Sequence, residues 1–277
     1  MQILTGRKLK PRRIMNYGIH GCGKSTWASE APGCIFIDIE DGLNDIDCAK
    51  TPRCNDYGNV LSAVSWLLTE KHDYKWVAVD TLDWMQALIF AKVSQDAGVS
   101  SIEKIAYGKG YEAAVKCWDY VLKGFDALRD NRGMGIILLA HARIAKFASP
   151  ETDSYDRYEP DLHKAVNGMI QEWCDEVFFS SYRVFTRSED LGFNKVRQIA
   201  VGGKDRFIRT NASAVAEAKN RLRLPDELPM EWSAYAQYLP QSGSTTPLPP
   251  APAVAGPASA DGNISGVVNN GSSKKEG

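Results

Sequence analysis

The sequence lacks the cysteine spacing of a zinc site or a redox motif. It contains no C-x-x-C pair and no Cys/His cluster at zinc-ligand spacing. Its six cysteines are scattered along the chain: Cys22, Cys34, Cys48, Cys54, Cys117 and Cys174. It also lacks an apolar run long enough for a signal peptide or a membrane span. We therefore expect reduced thiols in a cytoplasmic protein that has no membrane partner.

The chain has no large excess of charge of either sign. Its 33 Lys and Arg residues nearly balance 34 Asp and Glu residues, and the formal net charge is −1. The molecule as a whole should therefore not be drawn to nucleic acid or to an anionic membrane, and any such contact must be local. Five basic residues cluster at the start: Arg7, Lys8, Lys10, Arg12 and Arg13. We interpret residues 1–12 as a basic arm, either a solvated tail or a contact for DNA or a neighbouring subunit.

Aromatic residues are absent from Gln241 onward, where Pro, Ala, Gly, Ser and Asn dominate. Such a segment cannot bury enough apolar surface to offset the entropy lost on ordering, so we predict that residues 241–277 are disordered. The whole chain is 44% hydrophobic, and all of its seven Trp precede Gln241. This composition predicts one folded domain over residues 13–240.

Short apolar runs alternate with amphipathic stretches in the first half of this domain. The runs that predict strands are Arg13 to Tyr17, Cys34 to Ile39, Trp76 to Val79 and Gly135 to Ala140. They are nearly continuous in apolar residues, which is typical of strands buried on both faces of a parallel sheet. Gly110 to Arg129 has the clearest helical spacing. The alternation predicts an α/β fold with its ligand site beyond the carboxyl ends of the strands.

The pattern changes after Cys174 to segments rich in strand-forming residues. They are Glu176 to Thr186, Lys195 to Val201 and Arg206 to Thr210, interrupted by Gly192 and by the pair Gly202 and Gly203. We predict a mainly parallel sheet, flanked by helices, with an antiparallel extension formed by these segments.

A phosphate-binding loop follows the first predicted strand. The residues from Gly18 to Ser25 fit G-x-x-x-x-G-K-[ST] without a mismatch and precede a predicted helix. In such a loop the backbone N–H groups wrap a phosphate, Lys24 neutralises the β- and γ-phosphates, and Ser25 ligates Mg²⁺. We predict ATP binding by Gly18, Gly21, Cys22, Gly23, Lys24, Ser25 and Thr26. His20, at a variable position, is interpreted as loop filling.

Carboxylates end two of the predicted strands. Asp80 follows Trp76 to Val79, and with the P-loop upstream we predict that it holds Mg²⁺ together with Ser25. An Asp in this position without a P-loop would be a capping residue. Asp38 and Glu40 end the second strand, and a period of two places both on one face. Either of them is a candidate for the group that activates the attacking water.

These motifs occur in a specific order along the chain: GIHGCGKST, FIDIEDGLND, VAVDTLDW, YGKGY at residues 107–111, LLAHARI and AKNR. Over about Arg12 to Tyr238 this order resembles the phage ATPases of the RecA-like single-strand annealing group. The resemblance implies a RecA-like P-loop NTPase core over residues 13–240. It also implies a protein of phage DNA recombination, active in the host cytoplasm, that hydrolyses ATP with Mg²⁺, binds single-stranded DNA and promotes annealing.

The resemblance assigns roles to further residues. It implies that Glu40 polarises the attacking water and that His141 senses the γ-phosphate, although His replaces the usual polar amide. It makes the long segment from Ala142 to Asp161 a DNA-contacting loop, for which Lys146, Phe147 and Arg157 are suited to backbone contact and base stacking. Five acidic residues in the same segment oppose DNA binding: Glu151, Asp153, Asp156, Glu159 and Asp161.

Lys219 and Arg221 resemble the K-x-R element that reaches into a neighbouring subunit's ATP site. An Arg supplied in trans stabilises charge on the transferring phosphate and makes hydrolysis depend on assembly. The resemblance therefore implies a homo-oligomer, a ring or a filament, with ATP at the subunit interfaces. It also implies cooperation with a single-strand-binding protein. The C-terminal region is shorter than that of bacterial RecA, which argues against full strand exchange.

Three other functions are compatible with a P-loop. A ring-forming helicase or packaging motor would normally need an additional domain. A small-molecule kinase usually carries an Arg-rich lid, which the sequence does not show. A protein that binds ATP only to hold an assembly together would require Glu40 to be inert.

Overall fold

The fold is described from a computed structural model, which covers residue 3, residues 9–190 and residues 196–240. The predicted tail from Gln241, the residues Arg7 and Lys8 of the basic arm, and Gly192 and Lys195 lie outside the described residues. The described strands are β1 Arg13–Gly18, β2 Cys34–Asp38, β3 Ala49–Lys50, β4 Trp76–Asp80, β5 Gly135–Phe147, β6 Tyr155–Pro160, β7 Glu176–Asp190, β8 Val196–Arg209 and β9 Glu227–Pro229. The described helices are α1 Lys24–Ser29, α2 Tyr57–Thr69, α3 Leu82–Asp96, α4 Lys109–Asn131, α5 Lys164–Trp173 and α6 Trp232–Ala236.

The strands form one sheet in the order β3-β2-β4-β5-β1-β7-β8-β9, with β6 paired to the outer part of β5. In this spatial order, every neighbouring pair from β3 through β2, β4, β5 and β1 to β7 is parallel. The pairs β7–β8, β8–β9 and β5–β6 are antiparallel. The predicted fold class, a mainly parallel sheet flanked by helices with an antiparallel extension, is therefore confirmed. It is the fold of a P-loop NTPase.

Successive side chains of the central strands point to opposite faces of the sheet, and both faces are covered by helices. On one face, Ile37, Val79 and Leu138 pack with Trp118 and Phe125 under α2, α3 and α4. On the other face the neighbouring strand residues pack with aromatic side chains of α1 and α6; this second core includes Phe36, Ala78, Leu139, Trp27, Trp232 and Tyr235. Burial on both faces removes apolar surface from water along the whole strand. Each Å² of apolar surface buried stabilises the fold by about 25 cal/mol. Among the described residues, no helix is both long and apolar enough to cross a membrane.

The prediction of a long loop over Ala142 to Asp161 is wrong. β5 continues past the sheet to Phe147, and its outer part pairs with β6 from Ala142 opposite Pro160 to Phe147 opposite Tyr155. We call these paired segments the β5–β6 hairpin. Cross-strand pairing satisfies the backbone N–H and C=O groups that a loop would leave to water.

The predicted break at Gly202 and Gly203 is also wrong, since β8 runs through both residues. Both glycines have positive φ (112° and 113°), and the β7–β8 register shifts between Tyr182 and Val184. The pair therefore forms a bulge inside one hairpin. A side chain is disfavoured at such φ values, which explains the glycines.

Three residues of the predicted basic arm and its end make contacts within the chain. Lys10 pairs with Asp130, and Arg12 pairs with Glu176, a carboxylate with no exposed surface. Arg13 pairs with Asp126 and with Asp175. Arg12 and Arg13 thus neutralise acids at the amino ends of the central strands, where an unpaired buried charge would be costly.

Candidate functional site

The parallel strands β1, β2, β4 and β5 end along the same edge of the sheet. At this edge the following residues form a cavity of about 290 Å³: His20, Gly21, Gly23, Lys24, Ser25, Thr26, Glu40, Gly42, Ile46, Asp80, Thr81 and His141. Register brings the end of β1 beside β5, with Gly18 opposite His141, and the end of β2 beside β4, with Asp38 opposite Asp80. Motifs far apart in sequence therefore form one site, at the edge where open parallel sheets bind ligands.

The P-loop has the backbone shape that wrapping a phosphate requires. Gly21 and Gly23 have φ of 70° and 97°, and Gly23 is the residue immediately before α1. The Lys24 ammonium is buried and donates to the carbonyl oxygens of Gly18 and Ile19, at 3.2 and 3.0 Å. Among the described residues it forms no ion pair. A buried cation at a helix N-terminus, held by main-chain carbonyls, fits an anionic phosphate.

The remaining predicted loop residues differ in what they contribute. Thr26 lies on the cavity wall and is exposed. The Cys22 side chain is buried, and this burial raises the pKa of its thiol. The Cys22 side chain is not among those that line the cavity, and its burial leaves its backbone as the part that could contact a phosphate.

Ser25 and Asp80 place two oxygen atoms where Mg²⁺ would bind. The Ser25 hydroxyl donates to Asp80 Oδ2 at 2.7 Å, and only 3% of Asp80 is exposed. Hard oxygen ligands, with phosphate oxygens completing the shell, suit Mg²⁺. The residues present thus fit the metal: Ser25 and Asp80 would hold it, and it would neutralise charge that develops on the phosphates during transfer.

Burial raises the pKa of Asp80 to about 6, although the hydrogen bond from Ser25 acts in the opposite direction. The folded pKa lies above the reference value of 3.8, so the folded state binds the proton more tightly than the unfolded state. The contribution of Asp80 to stability is therefore present at low pH and is lost as pH rises through about 6. The ionised carboxylate weakens the nucleotide-free fold at neutral pH.

We predict that Asp80→Asn stabilises the protein at pH 7.5, without nucleotide or Mg²⁺, by on the order of 2–3 kcal/mol. Asn still accepts the Ser25 hydrogen bond but carries no charge to desolvate. Urea unfolding of both proteins from pH 4 to pH 8 measures the effect, and the difference should shrink towards pH 4. A variant no more stable than wild type at pH 7.5 would contradict this account of Asp80.

Glu40 and Asp38 have different environments. β2 ends at Asp38, and the N–H groups of both Ile39 and Glu40 donate to the Asp80 carbonyl, at 3.0 and 3.1 Å. The period-two prediction that Asp38 and Glu40 share a face is therefore wrong, because the chain has left the strand between them. Asp38 is buried and accepts from the Asp41 N–H at 2.9 Å.

The Glu40 carboxylate lies in the cavity wall, where 29% of its side chain is exposed. Thr81 Oγ1 donates to its Oε2 at 3.3 Å, and His141 Nε2 lies 3.9 Å from its Oε1. Of the two acids, Glu40 is the one with access to water in the cavity. Its position between Asp80 and His141 suits a base that faces the terminal phosphate.

His141 is held at the cavity by a residue that sequence reasoning missed. Asp83, in the first turn of α3, accepts from the His141 N–H at 3.0 Å and contacts its Nδ1 at 2.9 Å. Burial raises the pKa of Asp83, but the hydrogen bonds from His141 lower it, and the net shift is downward. An ionised Asp83 fixes the ring orientation and requires a proton on Nδ1.

His20 does more than fill the loop. Its ring stacks on the His141 ring at 3.8 Å between centroids and 19° between planes. The P-loop therefore contacts β5 directly, at the point where the strand leaves the parallel sheet. An acid three residues after Asp80, opening a helix, is a signal in the sequence that indicates Asp83. No local pattern indicates the His20 stacking, which depends on the β1–β5 register.

The other predicted functional residues lie outside the cavity. The Arg157 guanidinium lies over the Phe147 ring, with 4.0 Å between its Cζ and the ring centroid. Arg157 also pairs with Glu217. Lys146 is exposed on the β5–β6 hairpin. Lys219 and Arg221 lie near the amino end of β7: Lys219 pairs with Val177 and donates to the carbonyls of Gln171, Glu172 and Cys174. Arg221 pairs with Asp175, and 51% of its side chain is exposed.

The cavity brings together the groups needed for phosphoryl transfer to water. In such a reaction Lys24 and the loop amides would receive the phosphates, Ser25 and Asp80 would hold Mg²⁺, and Glu40 would be the candidate to take a proton from water. As water attacks, its oxygen bonds to the γ-phosphorus, the bond to the β–γ bridging oxygen breaks, and ADP leaves with that electron pair. Positioning and charge stabilisation account for most catalysis of this kind.

Comparison with known proteins agrees with this geometry. The family model described as AAA domain matches residues 10–222, which include every cavity residue and extend through β8 to Leu222. No curated protein matches the chain. Since the matched region covers well over half of the chain, it decides the family. The protein belongs to the AAA domain family and is a P-loop ATPase of that type.

Proposed function

We propose that the protein hydrolyses MgATP, with Glu40 as the base, and uses the nucleotide state to control binding of single-stranded DNA. In the same proposal it promotes strand annealing in phage DNA recombination, in the host cytoplasm, together with a single-strand-binding protein. The observation that supports this most is the position of His141. It lies in the cavity wall with its Nε2 3.9 Å from Glu40 Oε1, and it is the last buried residue along β5.

The β5–β6 hairpin begins directly after His141. A change in the cavity that moves His141 therefore acts on the hairpin through continuous backbone, without an intervening loop. The His20 ring against His141 adds a second contact, from the P-loop itself. A bound γ-phosphate would thus have a physical route to the hairpin, through a strand that can shift between discrete positions.

The hairpin offers two small surfaces for a single strand, one on each of its faces. Lys146 is exposed and suited to a backbone phosphate, and Ile144 is 64% exposed. On the opposite face of the hairpin, Phe147 and Tyr155 lie side by side, with ring centroids 5.4 Å apart, and Arg157 is the cation beside them. Glu159 pairs with Arg143 and Asp161 lies 3.8 Å from the same guanidinium, so these two acids are partly neutralised. Aromatic faces beside a cation are typical of sequence-tolerant strand binding.

The proposal includes assembly of several subunits, because Lys219 and Arg221 lie at the edge of the sheet opposite the cavity and cannot reach the cavity of their own subunit. Register places Val177 at the amino end of β7, whereas Gly18 and Ser180 lie together at the P-loop end. These cations reach an ATP site only if the cavity of one subunit faces the opposite edge of the next. Head-to-tail contacts of this type build rings or filaments, with ATP at the subunit interfaces.

Steady-state phosphate release tests the proposal when it is measured with and without single-stranded DNA over a series of protein concentrations. We expect DNA to stimulate release and specific activity to rise with protein concentration, because the trans cations require a neighbour. Activity strictly proportional to protein and indifferent to DNA would leave an ATPase but refute both the DNA and the assembly parts.

Lys146→Ala tests the hairpin. We predict weaker binding of a labelled oligonucleotide in the presence of a non-hydrolysable ATP analogue. The slope of log affinity against log salt should fall by about 0.7, the value for one phosphate contact on a single strand. Fluorescence anisotropy measures both quantities. Lys123→Ala, at an exposed lysine of α4 paired with Asp119, is the matched control and should leave the slope unchanged. Equal slopes for all three proteins would refute the role of Lys146.

A further inference from the structure

The β7–β8 hairpin places two side chains on the P-loop that none of the sequence motifs includes. Tyr182 and Arg206 are cross-strand neighbours in the β7–β8 register, so their side chains lie on the same face of the hairpin. The Tyr182 hydroxyl donates to the Gly21 carbonyl at 2.6 Å. A Cβ atom on Gly23 would clash with the Arg206 guanidinium, whose Cζ lies 3.3 Å from that position. Both residues therefore touch the phosphate-binding backbone.

The bulge beside this pair explains how the hairpin reaches the loop. Between Tyr182 and Val184 one residue of β7 lies opposite three residues of β8, among them Gly203. A bulge bends the strand and redirects neighbouring side chains, and bulges are frequent next to active sites. A Cβ atom on Gly202 would lie 2.9 Å from the Arg183 carbonyl oxygen, so the tight crossing requires glycine there.

Arg206 is exposed, and it forms no ion pair with any carboxylate among the described residues. The other arginines nearby have carboxylate partners: Arg183 and Arg209 both pair with Glu227. A cation without a partner, directly against backbone that is shaped for phosphate, is suited to an anionic ligand.

Sheet order indicates which part of the ligand Arg206 would meet. Glu40 and His141, which face the terminal phosphate in the proposed function, lie over β2 and β5 on one side of β1. Tyr182 and Arg206 belong to β7 and β8 on the other side. Gly23, against which Arg206 packs, precedes the lysine of a loop whose amides cradle the α- and β-phosphates.

We propose that Arg206, whose cross-strand neighbour Tyr182 is hydrogen-bonded to the P-loop, forms a diphosphate subsite that binds the α- and β-phosphates of the nucleotide from within the same subunit. This inference rests on the proposed function, because it assumes that the P-loop binds a nucleoside di- or triphosphate. Arg206 would increase affinity for ADP and ATP alike. It differs from an Arg that acts only on the transferring γ-phosphate, which would affect turnover and leave ADP affinity unchanged.

Binding of ADP and of a non-hydrolysable ATP analogue to Arg206→Ala, measured by calorimetry, tests the subsite. We expect both dissociation constants to rise by a similar factor, about 10- to 100-fold, as for the loss of one charge-assisted hydrogen bond. Arg206→Lys keeps the charge but not the planar fork, and it should give an intermediate loss. Arg183→Ala, which removes an arginine of the same hairpin that pairs with Glu227, should bind both nucleotides as wild type does.

Two outcomes would overturn the subsite: unchanged affinity for both nucleotides, or weaker binding of the ATP analogue alone. The second would mean that Arg206 contacts the γ-phosphate and not the α- and β-phosphates. If wild-type protein itself binds neither nucleotide, the proposed function fails, and this result is distinct from a failure of the subsite alone. Urea unfolding of each variant checks that the hairpin remains folded.

Discussion

Replacing Glu40 with Gln is expected to reduce phosphate release from MgATP by about 10²- to 10⁴-fold, while MgATP still binds. Glu40 lies in the cavity wall between His141 and Thr81, where the proposed function makes it the base that activates the attacking water. Gln keeps the size of the side chain but cannot take a proton at neutral pH. A large fall in kcat with little change in nucleotide affinity is the signature of a group that acts in the transition state.

Asp41→Asn is the matched control for this experiment. Asp41 is one residue further along, its side chain is half exposed, and it pairs with Arg53 rather than lining the cavity. Its φ of 68° is one that Asn tolerates well. We expect the control to hydrolyse ATP as wild type does. If Glu40→Gln also kept full turnover, Glu40 would not be the base, and the reading of a P-loop that binds ATP only to hold an assembly together would gain support.

Lys24→Ala is expected to weaken binding of ADP and of ATP by at least about 100-fold, the order for two charge-assisted hydrogen bonds of about 1.5–3 kcal/mol each. The ammonium is buried under the loop, and its present acceptors are the carbonyls of Gly18 and Ile19. When phosphate is bound, the same cation would neutralise the β- and γ-oxygens. Calorimetry or a fluorescent nucleotide measures the loss.

The dependence on Mg²⁺ separates this effect from that of the metal ligand. Lys24 acts on phosphate oxygens, so Lys24→Ala should lose affinity with and without Mg²⁺. Asp80→Asn should lose only the part of the affinity that Mg²⁺ adds, since Asp80 meets the nucleotide through the metal. A Lys24→Ala protein that is folded by circular dichroism and binds ADP as tightly as wild type would contradict the P-loop assignment.

Local pattern was sufficient to predict the central strands and the P-loop. The apolar runs that end at Tyr17, Val79 and Ala140 are buried on both faces, and burial of this kind leaves a clear signature in sequence. The loop motif fixes its own backbone shape through glycine. The position of Asp80 at a strand end then follows from the β4 run. These features depend on residues close together in the chain.

Long-range pairing was beyond the reach of local pattern. The segment from Ala142 to Asp161 as a whole is polar enough to suggest a loop, and only the pairing of β5 with β6 makes it a hairpin. The distinction between Asp38 and Glu40 depends on where β2 ends, and the Asp80 carbonyl sets that end. Arg206 reaches Gly23 only because β7 lies beside β1 and β8 lies beside β7. No spacing rule relates positions so far apart.

A single-turnover experiment tests the central claim, that this cavity binds and hydrolyses MgATP, most directly. Protein in excess over γ-labelled ATP, with Mg²⁺ and single-stranded DNA, is followed for labelled phosphate and for bound nucleotide. We predict that nearly all of the label is released as phosphate, that chelating Mg²⁺ stops the release, and that bound ADP remains. ATP that stays bound and intact with Mg²⁺ and DNA present would contradict the account.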